Sequence, residues 1–391
     1  MSYLERAEEL QEELVKNRRE LHQNPECGFE LQKTVAFVKK KLTEYGYEPK
    51  DCGRAGVTCT AGKPGKTILL RADMDALPIE EKSGLSFAAG NGACHACGHD
   101  NHTAMLLGAA KMLKEREDSL KGTVKFMFQP AEENICGAED MIHAGILKNP
   151  DVDAAIGLHV QVGMDMTHTG KVFIKPGYMS TAGDSVNIIV HGKTAHGSIP
   201  HMGIDAIQIA MHIGLAVMEL SAKEIEPGKK VIILIGKIQG GRVNNSVAEE
   251  CEMALSLRYE SKEIRTVVLK RIREIAEGIA TALGGSAEFV HNFYAPAVYN
   301  EETLTAQVKD FFTELLPEGD VCEGFPIRGG EDFSRITEEV PSVFFLLGAG
   351  TPEDGCTGTL HDPDVIFQEE MLPVGAACLS HVAERWLEEN R

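Results

Sequence analysis

The sequence predicts an α/β protein in which a mostly parallel mixed sheet, flanked by helices, is interrupted by an inserted α+β domain of ferredoxin-like βαββαβ order. Three observations predict it. Short apolar and β-branched runs alternate with longer segments of helical periodicity up to residue 160, the pattern of parallel strands covered by helices. Around Pro176-Gly177 the rhythm changes to strand, helix, strand, strand, helix, strand, which closes on itself as a split βαβ unit. After residue 296 a helix, a strand and a terminal helix follow, enough to complete the first sheet. A chain of 391 residues exceeds what one compact core usually covers. The expected boundaries are 1–179 and 294–391 for the two segments of the larger domain and 180–293 for the insertion.

Residues 3–23 and 31–45 carry helical periodicity, and GVTCTA (56–61) and KTILLRADM (66–74) read as strands. NHTAMLLGAAKMLKERE (101–117) is rich in Ala, Leu, Met and Lys and reads as a helix. GTVKFMFQP (strand), AEDMIHAGIL (helix) and DAAIGLHV (strand) follow. The insertion supplies DSVNIIVHG, KVIILIGKI, EECEMALSLRYE and SAEFVHNF as strands, with helices IDAIQIAMHIGLAVMEL and IRTVVLKRIREIAEGIATALG. The last elements are ETLTAQVKDFFTELL, SVFFLLG and LPVGAACLSHVAERWLEE.

Net charge is −20, which argues against nucleic acid or an anionic membrane as a main partner. The N-terminus is charged and amphipathic rather than basic and then apolar, so no secretory signal is expected. The longest strongly apolar runs, VIILIG and SVFFLLG, are of strand length, far below the roughly 18 residues of a spanning helix. A cytoplasmic protein with reduced thiols is the expectation.

Residues 94–102 read CHACGHDNH and gather five of the chain's 10 Cys and 14 His. Three readings compete. Cys94 and Cys97 form C-x-x-C, but a redox pair opens a helix in a small βαβ unit and needs no surrounding carboxylates. A structural zinc site wants a second close pair of ligands, and none is present. Cys97 and His99, on a loop leading into a helix and joined by distant His and Glu ligands, suit a catalytic metal site with open positions. The strand ends supply candidates for the rest, because ligands of open α/β sheets bind at carboxyl ends of strands. Asp73 and Asp75, Glu132 and Glu133, His159 and His361 all follow or end predicted strands. In Glu132-Glu133, neighbouring side chains point apart, so one carboxylate can ligate while the other moves a proton.

RRELHQNPECGFE, RADMDALPIEE, HACGHDNHTAMLLGAAKML, QPAEE, GLHV, HGKTAHGSIPHMGIDAI, RGGEDFS and LHDPD occur in that order over nearly the whole chain. The set resembles the dinuclear-metal amidohydrolases that include hippurate hydrolase, bacterial aminoacylases, N-acetyl-diaminopimelate deacetylase and the plant auxin-conjugate hydrolases. The resemblance implies a zinc-peptidase-like catalytic domain, with the insertion serving as a lid and dimerisation domain, and two divalent ions per chain, Zn, Mn, Co or Ni. It implies Cys97 as a bridging ligand, His99, Glu133, His159 and His361 as the other ligands, and Glu132 as general base. His196 would help hold the oxyanion in a partner subunit's site, Arg258 and Asn245 would contact the substrate, and Asp75 would orient a ligand. Asp73 is left out as a ligand, and Cys94, His95 and His102 are read as supporting residues. Asn134-Ile135-Cys136 and Asn245-Ser-Val-Ala depart from what many relatives carry, which leaves the acyl and side-chain pockets open. The expected activity is hydrolysis of N-acyl-amino acids by a homodimer or higher homo-oligomer. A dipeptidase or carboxypeptidase on the same scaffold, and a non-catalytic metal-dependent peptide-binding protein, stand as alternatives.

Overall fold

Three helices open the chain in the computed structural model, which describes residues 1–327 and 329–390. They are Tyr3–Glu9 (α1), Gln11–His22 (α2) and Gln32–Glu44 (α3). The helical stretch expected over 3–23 is broken at Leu10, whose N–H turns back to Ala7 and Glu8. Next come Lys50–Cys52 (β1), Gly56–Gly62 (β2), Thr67–Asp73 (β3), His99–Glu115 (α4), Thr123–Gln129 (β4), Gly137–His143 (α5), Ala154–Gln161 (β5), Val172–Ile174 (β6) and Gly177–Tyr178 (β7). The insertion holds Ala182–His191 (β8), Ala206–Lys223 (α6), Val231–Gly240 (β9), Glu250–Tyr259 (β10), Lys262–Ala282 (α7) and Ser286–Ala295 (β11). Tyr299–Asn300 (β12), Glu302–Leu315 (α8), Val321–Glu323 (β13), Ser334–Glu339 (α9), Ser342–Gly348 (β14) and Leu372–Glu389 (α10) complete the chain.

By contacts the chain divides into one unit of Met1–Met179, Val298–Pro326 and Glu331–Arg391 and a second of Ser180–Ala297 with Ile327–Gly330. The second crossing falls after Ala297 rather than after 293, because β11 runs on to Ala295 in register with β8.

The larger unit is built on an eight-stranded sheet of order β1-β2-β4-β3-β5-β14-β6-β13. Its centre is parallel, with β4 on β3, β3 on β5 and β5 on β14, and antiparallel pairs flank it. Every residue of β3, β4, β5 and β14 is buried, which explains their continuous apolar runs: a strand covered on both faces has no solvent side to alternate with. One face packs on α4, α8 and α10 through Ile68, Leu70, Val124, Phe126, Ile156, Phe345 and their helical neighbours. The short strands β1, β6, β7, β12 and β13 escape a periodicity reading because two or three residues carry no period.

The smaller unit is a four-stranded antiparallel sheet of order β11-β8-β10-β9 with α6 and α7 packed on one face. Asp205 caps α6 and Ser261 caps α7, each accepting main-chain N–H groups of the first turn.

Candidate metal centre and its proton-handling acids

The carboxyl ends of β3, β4 and β5 lie side by side, with Asp73 in register with Gln129, and deliver the polar residues that follow each strand to one place. Cys97 Sγ lies 3.4 Å from His159 Nε2. Four sets of potential donors gather within 4.8 Å: Cys97, His99 and His159; Cys97, Glu133 and His361; His99, Glu132 and Glu133; and Asp73, His99 and His102. The structure thus brings Cys97, His99, Glu132, Glu133, His159 and His361 together. His99 is the first residue of α4 rather than part of a loop, because Gly98 turns the chain at φ +86. A Cβ on Gly98 would stand 2.5 Å from Val160 Cγ2, so left-handed geometry and close approach both require glycine.

Hydrogen bonds decide which imidazoles are free to bind. His99 Nδ1 donates to Asp75 O at 2.8 Å and His159 Nδ1 donates to Val160 O at 2.6 Å, leaving Nε2 of both rings for a ligand. His102 is different. Its Nδ1 donates to Asp73 Oδ1 at 2.6 Å and its Nε2 accepts the Val160 N–H at 2.9 Å, so the ring pins β3 to β5 and has no lone pair left. Asp75 supports the other side of the site. Its two carboxylate oxygens accept Glu132 N at 3.0 Å and Glu133 N at 3.3 Å, fixing the acid pair as well as His99. Ala131 and Ile135 bracket that pair at φ +52 and +53, a conformation costly for a β-branched side chain and characteristic of functional loops. His361, half-exposed with φ +72, has its N–H on Ala96 O and its Nε2 3.5 Å from Glu133 Oε1.

The electrostatics favour cations. Burial opposes a positive His99, but Asp73 and Cys97 overrule it and hold its pKa well above the usual histidine range. Burial pushes the Cys97 thiol up and, with His102, pushes His159 well below the usual range. Burial also raises Glu132, reinforced by Glu331 and Asp332. A metal dication fits this set: it would replace the proton on His99, draw the thiolate out of Cys97 and meet a neutral His159. His99 Nε2 and Glu133 Oε1 are buried without hydrogen-bond partners, as donors for an ion would be.

Behind Glu132 stands a network that the sequence reading did not assign. Arg71, wholly buried, donates to Gln129 at 2.9 Å, to Glu331 at 2.8 Å and to Asp332 at 3.1 Å, and lies 2.8 Å from Asp73. Glu331 and Asp332 share a 4.8 Å cluster with Glu132, and Asp332 is pushed up to about 7 by burial, with Arg71 opposing and Glu331 adding. The signal was an arginine inside the apolar run TILLRAD, since a charge in a buried strand requires partners. Arg328, in the same RGGEDFS motif, lies outside the described residues.

The remaining sequence-derived candidates belong to the smaller unit. His196 is exposed; its Nδ1 accepts the Ser198 N–H at 3.2 Å, which leaves Nε2–H as an outward donor. Asn245 is exposed too, and its carbonyl accepts Gly197 N at 2.7 Å, so these two share one loop pair. Arg258 does not join them. It pairs with Gly183 across β8 while Glu250, nearest the His196 loop, pairs with His191. Eight residues of strand, roughly 26 Å, separate the two ends.

The profile of Peptidase family M20/M25/M40 matches residues 69–385. The chain is 36% identical to an N-acetyl-L-cysteine deacetylase of Bacillus subtilis, with 97% of this chain and 90% of the relative covered. It is 34% identical to thermostable carboxypeptidase 2 of Saccharolobus solfataricus, with 94% of each covered. An IAA-amino acid hydrolase of Arabidopsis thaliana is 33% identical over 96% of this chain and 86% of its own. Among solved structures, a dinuclear metal binding peptidase of the M20 family from Bacillus subtilis superposes with TM-score 0.84 at 32% identity, covering 97% of this chain and 99% of that one.

The tautomer assignment separates two neighbouring histidines. His99→Ala is expected to abolish tight binding of added divalent metal, whereas His102→Gln should keep it within about tenfold while lowering thermal stability. Titration of the apoprotein with zinc against a chelating indicator checks both. Equal loss in the two variants would contradict the assignment.

Proposed function

We propose, from the premise that the chain belongs to peptidase family M20/M25/M40, that this metal-dependent hydrolase cleaves the amide bond of N-acyl-amino acids to release a carboxylic acid and a free amino acid. The observation that carries the reading is the pairing of Glu132, a buried carboxylate of raised proton affinity, with a thiolate, imidazole and carboxylate cluster beside it. The deacetylase and IAA-amino acid hydrolase among the relatives support the substrate class. Cys97, His99, Glu133, His159 and His361 would hold two divalent ions, and soft thiolate with imidazole suits Zn²⁺, with Mn²⁺, Co²⁺ or Ni²⁺ accepted by the same donors. Bound there, the ions supply Lewis acidity for the acyl carbonyl and the attacking water.

In this reading Glu132 takes the proton of the attacking water and hands it to the leaving amine nitrogen, as general base and then general acid. Asp75 holds the Glu132 and Glu133 amides and so keeps the two carboxylates in separate tasks. Arg258 suits the substrate carboxylate. His196 Nε2–H suits the oxyanion, with Asn245 beside it. Because Arg258 and the His196–Asn245 pair lie at opposite ends of one sheet, a single unit cannot bring all three to one small substrate. Two copies, each lending one end, can. The smaller unit carries features that support a homodimer: β9 is an unpaired edge, and Ile232 and Leu234 on it and Met211, Leu215 and Met218 on α6 are exposed. A cytoplasmic setting accords with ten free cysteines among the described residues, and no helix of the described residues is long and apolar enough to cross a membrane.

The carboxypeptidase relatives support a second reading, in which the acyl group is a peptide. One experiment distinguishes them. Metal-reconstituted protein assayed on N-acetyl, N-benzoyl and N-indoleacetyl amino acids and on dipeptides should prefer the acyl-amino acids. Glu132→Gln should retain its metal and lose about 10²- to 10⁴-fold in kcat. Preference for dipeptides would favour the second reading, and unchanged kcat would remove Glu132 from the chemistry.

The dimer has its own test. Mixing inactive Glu132→Ala with inactive His196→Ala under subunit exchange should restore activity to roughly a quarter of wild type, because about half the dimers then carry one intact site. No recovery despite proven exchange would show that His196 does not act across subunits.

A further inference from the structure

Three motifs of the sequence meet at a place the proposed reaction does not use. His22 of α2 has Nδ1 at 2.8 Å from Asp100 Oδ2 and Nε2 at 3.0 Å from Glu81 Oε1. All three side chains are essentially buried. An imidazole with a carboxylate on each nitrogen must donate from both, so the ring carries both protons. Arg18, one turn earlier, donates to the same Asp100 oxygen at 2.7 Å and to Glu369 at 3.0 Å. Phe87 covers the group, edge-on to His22 and beneath the Arg18 and Arg19 guanidinium groups. His95 is the other titratable ring beside His22, at 6.3 Å between centroids; burial pushes it down to about 3, so it is neutral. Cys94, a buried thiol, stands close to Glu81, Asp100 and Arg18. Two cations, Arg18 and His22, thus balance Asp100 and Glu81.

The partners belong to segments that carry the metal-centre residues. Asp100 follows His99 in the first turn of α4. Glu81 organises the loop between Leu77 and Cys94, accepting the Ala89 N–H at 2.6 Å and bonding Ser83, and a backbone pair between Leu77 and Cys94 closes that loop three residues before Cys97. We propose that His22, clamped as an imidazolium between Glu81 and Asp100, is a positioning residue that holds the segment from Cys94 to His99 in metal-binding geometry. The inference rests on the reading of Cys97 and His99 as ligands.

The clamp has a direction in pH. Burial, and the Arg18 guanidinium 3.5 Å from Nδ1, favour a neutral ring, but Asp100 and Glu81 overrule them and raise His22 above its ordinary value. A group so raised contributes fully below the unfolded-state pKa, about 6.5, and its contribution is lost as pH rises through the folded-state value. Metal affinity should fall on the alkaline side for this reason.

Glu81→Gln separates charge from hydrogen bonding. The glutamine can donate from its amide to a neutral His22 and to Ser83 Oγ while its carbonyl accepts the Ala89 N–H and His22 Nδ1–H still donates to Asp100, so each contact is kept, the Ser83 bond reversed, and the carboxylate charge is removed. Affinity for Co²⁺, read by chelator competition and by thiolate-to-cobalt absorption, is to be followed against pH in wild type, Glu81→Gln and His22→Gln. The alkaline fall should move down by one pH unit or more in Glu81→Gln, with near wild-type affinity at pH 6. His22→Gln, where folded, should bind about tenfold more weakly at pH 7 and lack that alkaline limb. If wild type shows the thiolate band and folded Glu81→Gln keeps the wild-type pH profile, the clamp is overturned while the metal site stands. Absence of the band in wild type would overturn the ligand reading and the clamp with it.

Discussion

The larger unit is organised around negative charge that burial leaves short of counter-charge. Asp73, Asp75, Glu132, Glu331 and Asp332 are buried at the carboxyl ends of the central strands, and Arg71 is the buried guanidinium set among them. An ionised carboxylate taken out of water is tolerated only when paired or fully hydrogen-bonded. Asp75 is satisfied by two amides and Asp332 by Arg71, Gln129 and Ala138. Asp73 Oδ2 is held by the Arg71 guanidinium at 2.8 Å, whereas Glu133 Oε1 is left without a hydrogen bond, opposite the bare Nε2 of His99. The remaining deficit is what divalent ions would fill, and the same deficit raises the proton affinity of Glu132.

This constraint explains much of the local sequence. Gly98 permits the turn that places Cys97 and His99 two residues apart on one site. Backbone carbonyls of Asp75 and Val160 select the tautomers of His99 and His159. His102, read from the sequence as a supporting residue, spends both nitrogens on structure. The strain at Ala131 and Ile135 is located where the chain must turn sharply to bring two adjacent acids to different partners.

The architecture was legible where periodicity is long. The buried runs at 67–73, 123–129, 154–161 and 342–348 and the helices α4, α6, α7, α8 and α10 are readable because continuous burial and a repeat of 3.6 leave different marks. The five strands of two or three residues were not, since pairing to neighbours rather than local propensity makes them. Glu133, His159 and His361 were visible as residue types at or after strand ends, and Cys97 and His99 as members of the cluster at 94–102. Arg71 with Glu331 and Asp332 was not, because 260 residues of chain separate Arg71 from Glu331 and no local pattern links them. Tautomers, which decide between His99 and His102, exist only once the fold places their partners.

Anomalous diffraction from crystals of metal-loaded protein shows whether these donors hold ions. Two metal peaks are expected among Cys97, His99, Glu133, His159 and His361, each within reach of Cys97 Sγ, and none at His102. A single peak, or peaks that leave Cys97 uncoordinated, would contradict the assignment.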